Sequence, residues 1–352
     1  MKNAFHQRLK AARRMRGLSM DDLVQRMGGA VSKQSISKYE RGLSVPRPHH
    51  LSLLLSALNI REEFFHRPTV ELSDINYRCK GDISPVYKEQ VVSVVTEKAH
   101  RYLDLENRIH VYPEFEHPLP STQVVSYADI EQAARQLRSQ WQMGEHPIPS
   151  VTHLLESKGF MIMEEVFEKN EILGLSACIN QKRPVIVVNQ RNHTTERKRF
   201  TLLHELAHLL LFLNKKTVDR EDSEERLCER FAGALLCPAV VLERELGAHR
   251  TTFALSELIS LRERYGISIA AIVHRCKDLG IISEQYYHHV FDHYIQQNIM
   301  EEGWGSYPVN EHTDRFHLLL QRAQAENLLS PAELMELNQH QGKENWREII
   351  WE

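Results

Sequence analysis

Cysteine is scarce: Cys79, Cys178, Cys228, Cys237 and Cys276 are scattered over 352 residues with no Cys-x-x-Cys pair. An odd, dispersed set excludes both a disulfide scaffold and a thiolate zinc ribbon, so a metal would need other ligands. Glycine and proline, at 15 and 13 residues, are too few for a collagenous or low-complexity chain. No window approaches about eighteen uncharged apolar residues, so no membrane partner is expected. The first residues, Met1 to Arg8, run into an Arg/Lys-rich stretch instead of an apolar leader core, and a cytoplasmic location is expected. What is present is ordinary for a folded chain, 42% apolar and 26% charged residues. The length is roughly two to three times that of a typical domain, which points to two or three domains.

The net charge of -3 conceals an asymmetry. Residues 1–70 hold thirteen Lys and Arg against five acids, a surplus of +8, so the rest of the chain carries -11. A basic head on an acidic body assigns any nucleic-acid contact to the head. Within it, Phe5, Leu9, Ala12 and Met15 fit one short helix, and a second begins at the N-cap Ser19. A third spans Ser32 to Gly42, with Ile36 and Tyr39 as its apolar anchors; nearly everything else on it can hydrogen-bond. Ser and Gln at the start of such a helix can reach base edges, and Lys along its flank can neutralise phosphates. Leu51, Leu54, Leu55 and Leu58 supply one or two further helices.

The run Arg13-x-x-x-Gly17-Leu18-Ser19, followed by Gln34-x-x-Ile36-Ser37-x-Tyr39-Glu40-x-Gly42 and then proline, resembles the XRE (lambda-repressor-like) helix-turn-helix family. The resemblance implies a five-helix DNA-binding domain in which Ser32, Lys33, Gln34, Ser35 and Lys38 face DNA. One such head per chain implies a homodimer on a two-fold site. The same bundle can also serve as a dimerisation or protein-docking module.

Residues 67–125 combine a stretch punctuated by Pro68, Gly81 and Pro85 with a long helical pattern from about Pro85 to Ile109, expected as a strut, and end in a linker marked by Pro113, Pro118 and Pro120. A helix around Tyr127–Met143 follows. Beyond Val151 comes a short helix, then apolar runs at 160–163, 172–178 and 184–189 that form a small sheet. The last run, Pro184 to Asn189, precedes the segment described next and is expected either buried or at a sheet edge; at an edge, an extended peptide could add by backbone hydrogen bonds.

In Phe200-Thr-Leu-Leu-His204-Glu205-Leu-Ala-His208-Leu-Leu-Leu211, His204 and His208 stand one helical turn apart on one face, within reach of a single zinc ion. Glu205 lies beside them, placed to accept a proton from water as general base. The flanking residues are apolar, so two histidines and a glutamate are buried together, which is costly without partners. The alternative is a pair of hydrogen-bonded core histidines. A third ligand is expected from the amphipathic segment Glu224 to Pro238, where Glu225 shares the inner face with Cys228, Ala232 and Leu235; Glu224 and Glu229 are substitutes, and the alternative is that Glu225 closes a capping box with Asp222. One Zn2+ per chain is expected.

Residues 150–240 resemble the ImmA/IrrE family of zinc metallopeptidases, through Pro184 to Asn189, Arg199 to Leu210, and Glu225-x-x-Cys228-x-x-Phe231-Ala232 on to Pro238. Cys228, Glu229 and Cys237 depart from the usual Ala, Asn and Met, and none of the three ligand positions is affected. The resemblance implies an endopeptidase that cuts a partner regulatory protein, commonly a helix-turn-helix repressor, releasing stress-response, mobile-element or phage-defence genes. Fusion to an XRE head with a helical tail is an arrangement the family includes. The other reading is a DNA-binding regulator or antitoxin with a structural or sensory zinc; an open fourth position and a Glu base favour the enzyme.

Cys79, in Tyr77-Arg78-Cys79-Lys80-Gly81-Asp82, loosely resembles the cysteine-switch segment of matrix metalloprotease propeptides and would be an inhibitory metal ligand; otherwise it is a half-buried cysteine. His288, His289 and His293 lack a nearby carboxylate trio and are expected at the surface. A last helix is expected from Ser330-Pro331 onward. The resulting expectation is a multidomain, mostly α protein: helix-turn-helix at 1–70, linker and strut at 71–125, an α+β zincin-like peptidase with a small sheet at 126–240, and a helical region at 241–352.

Overall fold

The computed structural model describes residues 5–67, 69–79, 81–120, 123–124, 126–167, 172–191, 194–213 and 224–331, with 333, 334 and 337. The head consists of α1 (Phe5–Met15), α2 (Met20–Arg26), α3 (Lys33–Glu40) and α4 (Pro48–Leu58), closed by a 3-10 turn at Glu62–His66 that takes the place of a fifth α-helix. Ser19 and Asp22 form a reciprocal capping box at α2, Ser32 caps α3, and Pro48 opens α4. Leu9, Leu23, Ile36, Leu54 and Leu58 bury the shared core, and the forked guanidinium of Arg13 bonds both oxygens of Glu40 at 2.6 and 2.8 Å, tying α1 to α3.

The chain continues through β1 (Leu72–Cys79), α5 (Pro85–Arg108), β2 (Gln123–Val124), α6 (Tyr127–Gln140), α7 (Val151–Ser157), β3 (Met161–Glu165), β4 (Ile172–Ile179), β5 (Arg183–Asn189), α8 (Thr195–Leu210) and β6 (Phe212–Leu213). Among the described residues α9 (Glu224–Leu236), α10 (Ala239–Leu246), α11 (Leu255–Tyr265), α12 (Ile269–Asp278), α13 (Glu284–Val290) and α14 (Arg315–Ala325) follow. The main sheet has the order β1-β4-β5-β3, with β3 and β5 parallel and the other pairs antiparallel. Among the described residues no helix is long and apolar enough to cross a membrane.

β5 alternates between two cores. Val185 and Val187 face α5 and α14, whereas Ile186 and Val188 face α8. Its neighbours are β4 on one side and β3 on the other. The expectation that Pro184–Asn189 offers an edge to an extended peptide is therefore wrong: burial on both faces and pairing on both sides make it an inner strand. The edges belong to β1 and β3.

The region expected as linker and strut supplies an edge strand and a covering helix. Val91, Val95, Ala99, Tyr102 and Leu105 of α5 cover the sheet, while Val94 enters the head's core. Arg8 and Arg67 of the head reach the buried Glu97 of α5 at 2.6 and 3.2 Å. On the other side, helices beyond residue 240 share one core with α8 and α9. Two carboxylates from the distal segment secure it: Glu311 pairs with the wholly buried Arg199 at 2.8 Å and accepts from the backbone N–H of Val151 and Thr152 at the start of α7, and Glu301 accepts from Ile269 and Ala270 at the start of α12. His288, His289 and His293 are exposed. Ser330 accepts from the Glu333 backbone N–H as an N-cap does, and most of the helix expected after it lies outside the described residues.

Candidate metal centre

α8 is capped by Thr194, whose side chain accepts from the Arg197 backbone N–H. Its inner face rests on the sheet, where Gly174 of β4 permits the approach: a Cβ there would lie 2.8 Å from Thr201 Cγ2 and 3.0 Å from Glu205 Oε1. α9 packs beside it and brings Glu225 to the two histidines. His204 Nε2 and His208 Nε2 are 3.2 Å apart, and the Glu225 carboxylate lies 3.1 Å from the first and 3.5 Å from the second. A tetrahedral ion about 2.0–2.1 Å from each donor sets donor separations of about 3.3–3.4 Å, so the three donors fit one zinc. Among the described residues this is the group of His, Cys, Asp and Glu side chains close enough to hold a metal. The Asp222 capping alternative lies outside the described residues, and Glu224 approaches the other ring nitrogen, His208 Nδ1, at 3.7 Å.

Burial dominates the electrostatics. It pushes the His204 imidazolium down to about 4, which keeps the ring neutral and able to ligate. Hydrogen bonding to His204 and His208 holds Glu225 well below the usual carboxylate range. Glu205 is wholly buried, and burial pushes it up to about 7 against the opposing charges of His208 and Arg78. Neither of its oxygens has a hydrogen-bond partner. A carboxyl poised near neutrality beside three metal donors has the proton affinity of a general base. Burial also raises the Cys228 thiol, whose sulfur stands 3.7 Å from His208 Nδ1, on the side away from the donors.

Cys79 is a correction. Successive strand side chains point to opposite faces, and Cys79, like Tyr77, packs into the α5-side core. The metal donors are on the α8 side, and Cys79 is not among the converging group. Its neighbour Arg78 points the other way. Arg78 lies over the Phe200 ring of α8 at 5.3 Å and donates to Glu229 of α9 at 3.3 Å. Sequence reasoning missed this residue; the local alternation of Ile75, Tyr77 and Cys79 was the signal that could have found it. In the head, Ser32, Lys33, Gln34 and Lys38 are exposed along α3 and Ser35 is half-buried. Ser32 is engaged as N-cap, and Lys33 pairs with Asp21 at 2.6 Å.

The model of the IrrE N-terminal-like domain, a peptidase family, matches residues 155–277, and that of a helix-turn-helix family matches residues 9–65. The chain joins an XRE-type helix-turn-helix head to an IrrE-like peptidase domain. No curated protein matches it. The IrrE-like match takes in all three metal donors and Glu205 but not β1, so Arg78 reaches the centre from outside it. Families of this kind are zinc-dependent in general, in keeping with the donor set.

Proposed function

We propose that this protein is a zinc-dependent endopeptidase that cleaves a partner regulatory protein, a transcriptional repressor, with residues 1–70 carrying it to DNA as a homodimer. The convergence of His204, His208 and Glu225 beside the buried, unpartnered Glu205 carries this reading. Zinc at these donors supplies Lewis acidity, polarising a carbonyl and acidifying water. Glu205 takes the proton from the attacking water and returns it to the amine nitrogen as the C–N bond breaks. The carboxylate of Glu225 is half-exposed, which leaves the donors open to a substrate. The exposed face of α3 supports DNA contact through Ser32, Lys33, Gln34, Ser35 and Lys38. Cleavage of the repressor would release the stress-response, mobile-element or phage-defence genes it silences.

The test is incubation of the zinc-loaded protein with a helix-turn-helix repressor, taken from a neighbouring gene where one encodes it, followed by electrophoresis. Loss of the full-length repressor with the wild type, and its persistence with Glu205→Gln, is expected. Persistence with both, while the protein binds the same operator, would favour a DNA-binding regulator or antitoxin with a structural or sensory metal.

A further inference from the structure

When water adds to a peptide carbonyl, the C=O electron pair moves onto oxygen, and a positioned donor stabilises the charge that develops there. Glu205 and the three metal donors present acceptors. Among the described residues, β1 brings a cationic donor without a partner to this side of the sheet. Arg78 pairs in register with Gly174, and residues directly opposite in a sheet have Cβ atoms about 4.5–5.5 Å apart on the same face. A Cβ on Gly174 would stand 3.0 Å from Glu205 Oε1, so Arg78 emerges beside the base. Its guanidinium is held from two sides, by the Phe200 ring at 5.3 Å and by Glu229 Oε1, which accepts from Nη2 at 3.3 Å. The other terminal nitrogen, Nη1, is buried and has no hydrogen-bond partner. A buried charged N–H without an acceptor is costly unless a ligand completes it.

We propose that Arg78 is a catalytic residue that donates from Nη1 to the scissile carbonyl oxygen, while the water's proton passes to Glu205 and the new C–O bond forms. This rests on the peptidase reading. The planar fork serves both directions at once, Nη2 to Glu229 and Nη1 to the substrate, which a lysine ammonium does not reproduce. Glu229 is then a positioning residue, and the place of β1 at the sheet edge acquires a purpose: it brings a donor to the peptidase from outside the matched domain.

The test uses the full chain loaded with Co2+, whose visible absorption reports ligands at the metal, titrated with inorganic phosphate as an oxyanion and with imidazole as a neutral ligand. Arg78→Gln should weaken phosphate binding by about ten- to a hundredfold, leaving cobalt uptake and imidazole binding unchanged. Arg78→Lys, which keeps the charge and serves should the glutamine variant fail to load cobalt, should still lose most of that affinity. Wild-type phosphate affinity in Arg78→Lys overturns the assignment. A wild type that takes up no cobalt overturns the peptidase reading itself, a separate result.

Discussion

In the head, the groups singled out for chemistry face solvent: Ser32, Lys33, Gln34 and Lys38 are exposed on a helix whose only buried anchors are Ile36, Tyr39 and Glu40. In the body, His204 and Glu205 are 0% exposed, and the donors converge within 4.8 Å of one another. Long exposed side chains are ordered only by a partner large enough to cover them, so the head is suited to a macromolecule that imposes its own geometry. Buried donors are ordered by the fold before anything binds, so the body is suited to an ion and to the few atoms of a substrate that reach it. The head trades in additive contacts; the body depends on a unit whose members fail together.

That contrast can be broken at several points. The largest effect is expected at Glu205→Gln, which should keep its zinc and lose about 10²- to 10⁴-fold in cleavage rate; an undiminished rate would remove Glu205 from the chemistry. Next is the joint between the regions. Glu97→Ala leaves Arg8 buried without its partner and should cost about 3–5 kcal/mol in urea unfolding, and an unchanged midpoint would mean that the head and α5 are not coupled in stability. In the head the effects should be smaller and separable. Gln34→Ala should relax preference at one base pair by about 1–3 kcal/mol, whereas Lys38→Ala should weaken binding to all sequences alike and reduce the salt slope by about 1. A collapse of all binding on either change would contradict additive contacts. Ser32→Ala should cost about 1 kcal/mol of head stability through loss of the α3 cap, measured in the thermal unfolding of the full chain.

How much could be read in advance follows the reach of each signal. His204, Glu205 and His208 were legible because a helix turns their spacing into geometry, and Glu225 because its helix carries a clear inner face. The three strands from Met161 to Asn189 announced themselves as apolar runs. β1 did not. Its pairing shifts register between Ser73 and Asn76, where Asp74 adopts a left-handed φ of 52°, so the apolar residues Leu72, Ile75, Tyr77 and Cys79 break the two-residue period expected of a strand. That irregularity hid the strand, and with it the fact that Arg78 and not Cys79 faces the metal side. The pairing of Arg78 with Glu229 spans 151 residues, a distance over which spacing carries no information. The inner position of β5 was hidden for a related reason: an all-apolar strand shows burial but not which strands flank it.

The central claim is that His204, His208 and Glu225 form one metal site that the chain needs for its chemistry. Metal analysis of the purified wild type beside a His204→Ala/His208→Ala double variant tests it most directly. The account predicts about one zinc per wild-type chain and none in the double variant; stoichiometric zinc retained by the double variant would contradict it.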